Sequence, residues 1–529
     1  MLDMALDIAI ADHKTYGSVE MQHRLFAQLR REDPIHWTEP TGYRPFWTVT
    51  KYADIIEIER QADRFINTPR TKLLSIDFES KVREAMNGKP MLVRALPQMD
   101  NPDHAKYQKL THAWFQPRQL RTLSDRMEAL ARESVDRLFA IGGECDFYND
   151  IAIYYPLRVL MTILGLPRED EQRLLKITQA YFGGGDPDMQ KGSDLIDATL
   201  AYVDYFRDVA KERRQNPKDD VATIIATSQI DGRAIEDFEA YSYYIALASA
   251  GHDTTSATIA GGLLALIENP DAMARLQRDP DLIPDAAEEM VRWVSPVKHF
   301  FRTAAVDYEI RGKKIRAGDS LFISFPSGNR DEEAFDRPFE FIPDRSPNRH
   351  LGFGYGIHAC IGRHLAKAEI VAFFREFLKR VDRVELAGDP AWTETSFLGG
   401  VKRLPVRYRA LGLKHPRESR RREFHSSDSE GTCNGDALAI ASIHLRKCAR
   451  SSLFRGASMR SCSLAAAGIT FKRAVSPLAV IWTWIDRRSS AFCFFEISLR
   501  AVIRLSISLS VLRSELMRSA RTEGVRGPC

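Results

Sequence analysis

The sequence predicts a mainly α-helical fold that carries small peripheral β-sheets. Three observations predict it. Apolar residues recur at spacings of three and four over long stretches. One apolar run, Tyr243 to Ile267, is long enough for a buried helix. Strand-like pieces are short and collect in only two places.

Taken in order, the N-terminal MLDMALDIAIADHKTYG places acids where a secretion signal needs basic charge, and it has no long apolar run. HWTEP and FWTVT, near residues 36–50, form the first strand cluster. LSDRMEALARESVDRLFAIG, EDEQRLLKITQAYF and DLIDATLAYVDYFRDVAKERRQN read as amphipathic helices that stop at Gly or Asn-Pro. The long apolar run comes next. YEIRGKKIRAGDSLFISF, near 308–325, is the second strand cluster, with Gly312 and Gly318 as turn residues. A break falls at Leu413, which predicts a body over 1–413 and an extension over 414–529.

Overall composition is that of a globular chain, with 44% apolar and 28% charged residues. A net charge of +4 over 529 residues makes no case for nucleic-acid binding. The charge is uneven, however. From Pro416 onward about 19 Lys/Arg face about 9 Asp/Glu, so the body is mildly acidic and the extension basic. Only Cys145 and Cys360 lie in the body, whereas the extension holds five cysteines. Two distant thiols indicate a reducing compartment, and no CxxC pair suggests zinc. Nothing approaches the ~18 uninterrupted apolar residues of a membrane span. The expectation is a cytoplasmic monomer whose Ser/Arg/Cys-rich extension is disordered or foreign to the fold.

The strongest chemical signal is HLGFGYGIHACIG followed by RHLAKAE. Glycines at 354, 356 and 362 permit tight turns and close approach to a flat ligand. Cys360 stands just before an apolar-periodic helix, whose N-terminal dipole favours a thiolate. A lone cysteine is usually an inert buried thiol; the density of specified positions around Cys360 reverses that prior.

The second signal is Ala250-Gly251-His252-Asp253-Thr254-Thr255, inside the long apolar run. A buried helix has no structural use for Asp-Thr at its centre, since unpaired polar groups there cost a few kcal/mol. Gly251 can let the helix open locally, and Thr254 can hydrogen-bond in place of a backbone partner. His252 reads as a packing residue. The third signal is Glu289-x-x-Arg292, on one helix face. Glu57–Arg60 and Glu515–Arg518 share that spacing and read as solvated faces. Residue 289 stands out by position, about 70 residues before Cys360.

Over residues 15–412 these motifs resemble the cytochrome P-450 family, in which Phe353, Gly354, Gly356, His358, Cys360 and Gly362 match the haem-binding loop. The resemblance implies the family fold, with haem b buried between the long helix and the Cys-loop helix and held by an axial thiolate from Cys360. It implies that Asp253 and Thr254 are the acid–alcohol couple beside bound oxygen, with Ala250 against the haem. Phe335, Pro338, Phe341 and Arg345 match the family's meander, so a structural Glu289–Arg292–Arg345 network is implied. His104, Arg302 and His358 match the propionate-binding positions. One departure is Gln108, where the family usually carries Arg; it can donate a hydrogen bond but no charge.

The activity implied is insertion of one atom of O2 into a C–H bond of a small apolar molecule. PLRVLMTILGLPREDEQRLLKITQAYFGG and TSFLGGVKRLPVRYRA look closest to soluble bacterial terpene-alcohol hydroxylases, the terpineol-oxidising group among them. Steroid side-chain and alkyl hydroxylases share many of these features. Ala246, Val297, Phe300 and Phe397 are the candidate substrate positions, each equally explained as core. No flavin or Fe–S motif is present, which implies electrons from a ferredoxin and its NAD(P)H-dependent reductase, with Arg118, Arg363 and Lys367 as docking contacts. A peroxygenase would not need Asp253-Thr254, and a haem sensor would not respond to substrate.

Overall fold

A computed structural model describes residues 2–183, 186, 188 and 195–411, and four short strands, Ser463–Leu464, Ile469–Thr470, Lys472–Ser476 and Ala479–Thr483. The chain divides into two units, Met1–Arg420 and Arg421–Cys529. In the second, the four strands pair as two antiparallel hairpins. The remainder of the predicted extension, and with it the Glu515–Arg518 pair, lies outside the described residues.

In the first unit the periodic segments form the helices Ser124–Ile141, Glu171–Phe182 and Leu195–Gln215. The first stops at Gly142, whose φ of 105° is open to glycine at little cost. The longest helix, Asp237–Glu268, begins six residues before the apolar run. Its polar first turn is stabilised by Glu239, which accepts from the Glu236 amide at 2.9 Å in a capping box. The rest is buried on nearly every side, as expected of a helix apolar all round. Gly261 and Gly262 let it approach the helix Ile283–Val294: a Cβ there would stand 2.6 Å from Val294 and 2.7 Å from Met290. The helix Arg363–Arg380 packs against Ile283–Val294 and against Ser124–Ile141.

The first strand cluster and the end of the second, Ser320–Ser324, meet in one five-stranded sheet. Its spatial order is Ile35–Thr38, Phe46–Val49, Ser320–Ser324, His299–Ala304, Phe65–Ile66. Only the pairing of Phe46–Val49 with Ser320–Ser324 is parallel. Tyr308–Ile310 and Lys313–Ile315 form a separate hairpin turning at Gly312, φ 74°. The sheet has its own apolar cluster, apart from the large core around the long helix. Among the described residues no helix is long and apolar enough to cross a membrane.

Candidate active site

Cys360 follows a single turn of 3-10 helix, Gly356–His358, and precedes the helix that Gly362 caps. Its amide donates to the Phe353 carbonyl at 2.8 Å, which folds the loop back on itself. Gly354 and Gly356 hold φ values of 66° and 68°. At Gly356 a Cβ would also lie 2.4 Å from the Glu59 carbonyl oxygen, so the loop needs glycine there for both reasons.

Cys360 is exposed and lines a cavity between its loop and the long helix. Burial pushes its pKa up, while the Gly362 and Arg363 amides and the Arg363 charge pull it down. A coordinating metal cation deprotonates such a thiol outright.

Across the cavity the long helix presents Ala246, Ala250, Thr254 and Thr258, four residues apart on one face. Sequence reasoning stopped at Thr254, although the same periodicity reaches Thr258. The helix does not open at Gly251; it stays continuous, and Gly251 instead gives room to Leu160, 3.0 Å from where a Cβ would stand. The freedom that Gly251 offers is not used to break the helix. The Thr254 hydroxyl donates back to the Ala250 carbonyl at 3.0 Å, so the i−4 carbonyl gains a partner without the ladder breaking.

Asp253 is not among the cavity-lining residues. One helical position from Thr254 is 100° of rotation, which turns its carboxyl to the buried side, 3.2 Å from His252. Burial raises its pKa.

The edge of the cavity carries His104, Gln108, Arg302 and His358. The His104 and His358 rings lie 4.3 Å apart. Burial, then the Arg302 and His104 charges, depress the His358 pKa to about 3, so this ring is neutral. Asn67 donates to His358 Nδ1 at 3.3 Å, which leaves the Nε2 proton as the free donor. Arg302, on the sheet, is already engaged: it donates to Glu59 at 2.8 Å and to the Phe301 carbonyl at 2.8 Å. Nothing in the motif pattern singled out Glu59 or Asn67. Both come from segments more than 230 positions away from their partners.

Val297 and Phe300 line the cavity, as do Phe353, Gly354 and Gly362. Phe397 does not. It packs behind Phe300 with ring centroids 5.4 Å apart, and the Lys72 ammonium lies 4.7 Å from its ring. The Lys298 backbone amide donates to the Phe397 carbonyl at 2.8 Å, which ties the bend that carries Phe397 to the segment leading to Phe300.

Glu289 and Arg292 are both fully buried and doubly bonded, at 2.7 and 2.8 Å. Arg345 adds contacts to Glu289 at 3.1 and 3.2 Å, and the Ile342 amide another at 2.9 Å. Arg292 spends its remaining donors on the Asn329, Pro338 and Glu340 carbonyls. Every group is paired, the condition under which a buried ion network is tolerated; removing one partner costs about 3–5 kcal/mol. Glu57 and Arg60 are exposed, as on a solvated face, and bond the Tyr308 and Tyr355 hydroxyls, not each other. On the surface beside the Cys helix, Arg118 and Arg363 are exposed, whereas Lys367 is paired with Glu288.

The residues present fit a haem. A thiol and an alcohol-bearing helix face each other across a mainly apolar cavity, with neutral and cationic donors grouped at one edge.

Comparison with known proteins agrees. Residues 187–405 match the cytochrome P-450 family model. Cytochrome P-450-terp of a Pseudomonas species is 43% identical over 405 residues, covering 74% of this chain and 95% of the relative. Linalool 8-monooxygenase of Pseudomonas putida is 31% identical over 388 residues, covering 73% and 95%. The crystal structure of a cytochrome P-450 from Novosphingobium aromaticivorans superposes with a TM-score of 0.72 at 41% identity, covering 77% of this chain and 98% of that one. From its site and from these relatives alike, the chain belongs to the cytochrome P-450 family and is a haem-dependent monooxygenase.

Proposed function

We propose that this monooxygenase hydroxylates a small terpenoid, with Cys360 as the axial thiolate of haem b. The observation that carries the reading is the thiol of Cys360 opening into the same cavity that Ala250 and Thr254 close from the long helix. The terpenoid assignment rests on relatives named cytochrome P-450-terp and linalool 8-monooxygenase, and on the apolar wall of Ala246, Leu247, Val297 and Phe300.

When bound, haem supplies the redox centre at which one atom of O2 enters a C–H bond. The chain's own residues do the rest. His358, through Nε2–H, and Arg302, in exchange for Glu59, hold the propionates, with His104 beside them. Gln108 adds a neutral donor where a cation is usual. Glu289, Arg292 and Arg345 fix the meander beneath the Cys loop and touch no reactant. The hydrogen on Thr254 is spent on Ala250, so its oxygen faces the cavity as an acceptor and steers a proton donor. Asp253 is the acid that supplies protons. Electrons come from a ferredoxin and its NAD(P)H-dependent reductase in the cytoplasm. The ferredoxin docks on the Cys side through Arg118 and Arg363, with Lys367 partly neutralised by Glu288.

The test is the absorption spectrum of the reduced protein with carbon monoxide. Wild type should give the strongly red-shifted Soret band of thiolate ligation, and Cys360→His should lose it. An imidazole-like band in wild type would mean that Cys360 does not hold the iron.

A further inference from the structure

We propose that a second cavity, across the strand His299–Ala304 from the Cys360 cavity, binds a small organic carboxylate, with Lys72 as its ion-pair partner and Arg70 as the buried charge behind it.

The strand divides the two spaces. Arg302 lines the Cys360 cavity, and Thr303, the next residue, lines the second one, as alternation along a strand requires. Among the described residues none lines both. The Phe301 amide donates to the Thr71 carbonyl at 3.0 Å, and the Leu73 amide donates to His299 Nε2 at 3.0 Å. These bonds lay the segment Arg70–Leu73 along the strand and bring Arg70 and Lys72 to the wall of the second cavity.

That wall is short of negative charge. Arg44, Arg70, Lys72 and Arg83 line it against Glu79 alone, and Arg44 already donates to Glu79 at 2.6 Å. Among the described residues no carboxylate pairs with Arg70, Lys72 or Arg83. Arg70 is 8% exposed, and its Nη1 reaches the Arg44 and Pro45 carbonyls at 3.3 and 3.4 Å. Its Nε and Nη2 are buried with no partner, as is Thr303 Oγ1.

The cations are held by rings instead. Arg70 lies 4.2 Å from the centre of Phe301, and the half-buried Lys72 lies 4.7 and 5.3 Å from those of Phe397 and Tyr181. A ring face attracts a cation but neutralises no charge. Burial accordingly pushes the Lys72 ammonium down to about 8, with no anion to oppose it. An anion entering here meets positive charge that the fold leaves uncompensated.

The remaining wall selects the kind of anion. Phe78, Val82, Leu92 and Tyr181 are apolar, and the cavity measures about 230 Å³. That is below the roughly 300 Å³ at which drug-sized pockets begin, so the occupant is small. A carboxylate head on a short apolar body uses both parts of the wall; an inorganic ion uses only the charge.

The experiment uses full-length holoenzyme with a phenylimidazole on the iron, which fills the Cys360 cavity, and reads hexanoate binding by calorimetry. Hexanoate should bind at one site and leave the azole spectrum unchanged. Lys72→Met should weaken it about tenfold or more, the scale of a charge-assisted hydrogen bond, and Lys72→Arg should restore most of the affinity. Hexanol lacks the charge and acetate the apolar body, so each should bind wild type about tenfold more weakly, or worse.

Hexanol binding wild type as tightly as hexanoate would overturn the proposal, with no need for any variant to fold. Acetate binding as tightly as hexanoate would overturn the organic-acid assignment and leave a general anion site. Loss of the azole spectrum on adding hexanoate would overturn it too, because hexanoate would then occupy the Cys360 cavity. So would undiminished binding by a folded Lys72→Met.

Discussion

At Thr254 the hydroxyl hydrogen is committed to the Ala250 carbonyl, and the oxygen lines the cavity. Such a side chain contributes little to helix stability, because back-bonded threonines are neutral to mildly unfavourable there. Thr254→Ala should therefore leave the thermal midpoint nearly unchanged. Product formed per O2 consumed should fall by roughly tenfold or more, the scale on which positioned proton-transfer groups act, and Thr254→Ser should restore much of it. Equal product from the alanine variant would favour a peroxide-driven route. The sequence legibly marked Thr254 and Cys360, since each sits in a dense local motif. It did not show that Asp253 turns to the buried side or that Glu59 occupies Arg302. Both depend on side-chain direction and on partners distant in the chain.

Among the elements, the long helix is pinned at its N-terminus by Glu239. The Arg233 guanidinium, with help from the Tyr107 hydroxyl and the Glu236 amide, lowers this carboxyl from 4.5 to about 2, against the opposing effect of burial. A carboxyl depressed on folding stabilises the native state fully above its unfolded pKa. That contribution is lost as pH falls from 4.5 through 2. Glu239→Gln should lower the thermal midpoint at neutral pH, where the carboxylate's contribution is fully present, and flatten the acid limb of the stability–pH profile in that window. The helices were legible because a period of three to four persists over many residues. The helix start was not, because its first turn is polar and its cap is a side-chain bond. Glycine at 251 permits opening, but Leu160 filling the gap makes the closed helix the better packed one.

For the whole molecule, the unit Met1–Arg420 contains every candidate site residue. The relative cytochrome P-450-terp aligns along 95% of its own length with 74% of this chain. A chain ending at Arg420 should therefore bind haem with the same carbon monoxide spectrum and the same thermal midpoint as full-length protein. Loss of haem from that truncation would show that the basic extension takes part in the fold.

The sequence by itself determined the helical class, the Cys360 loop, the Glu289–Arg292 pair and the polar interruption at Asp253-Thr254. Each is encoded in spacing along the chain, where local periodicity and turn chemistry act. Only the tertiary structure decided what those residues meet. It set His104 against His358, committed Arg302 to Glu59, put Phe397 behind Phe300 and turned Asp253 away from the cavity. Those outcomes follow from the rotation of each side chain about its helix or strand and from packing between distant segments. Neither quantity is written in the spacing of residues along one chain.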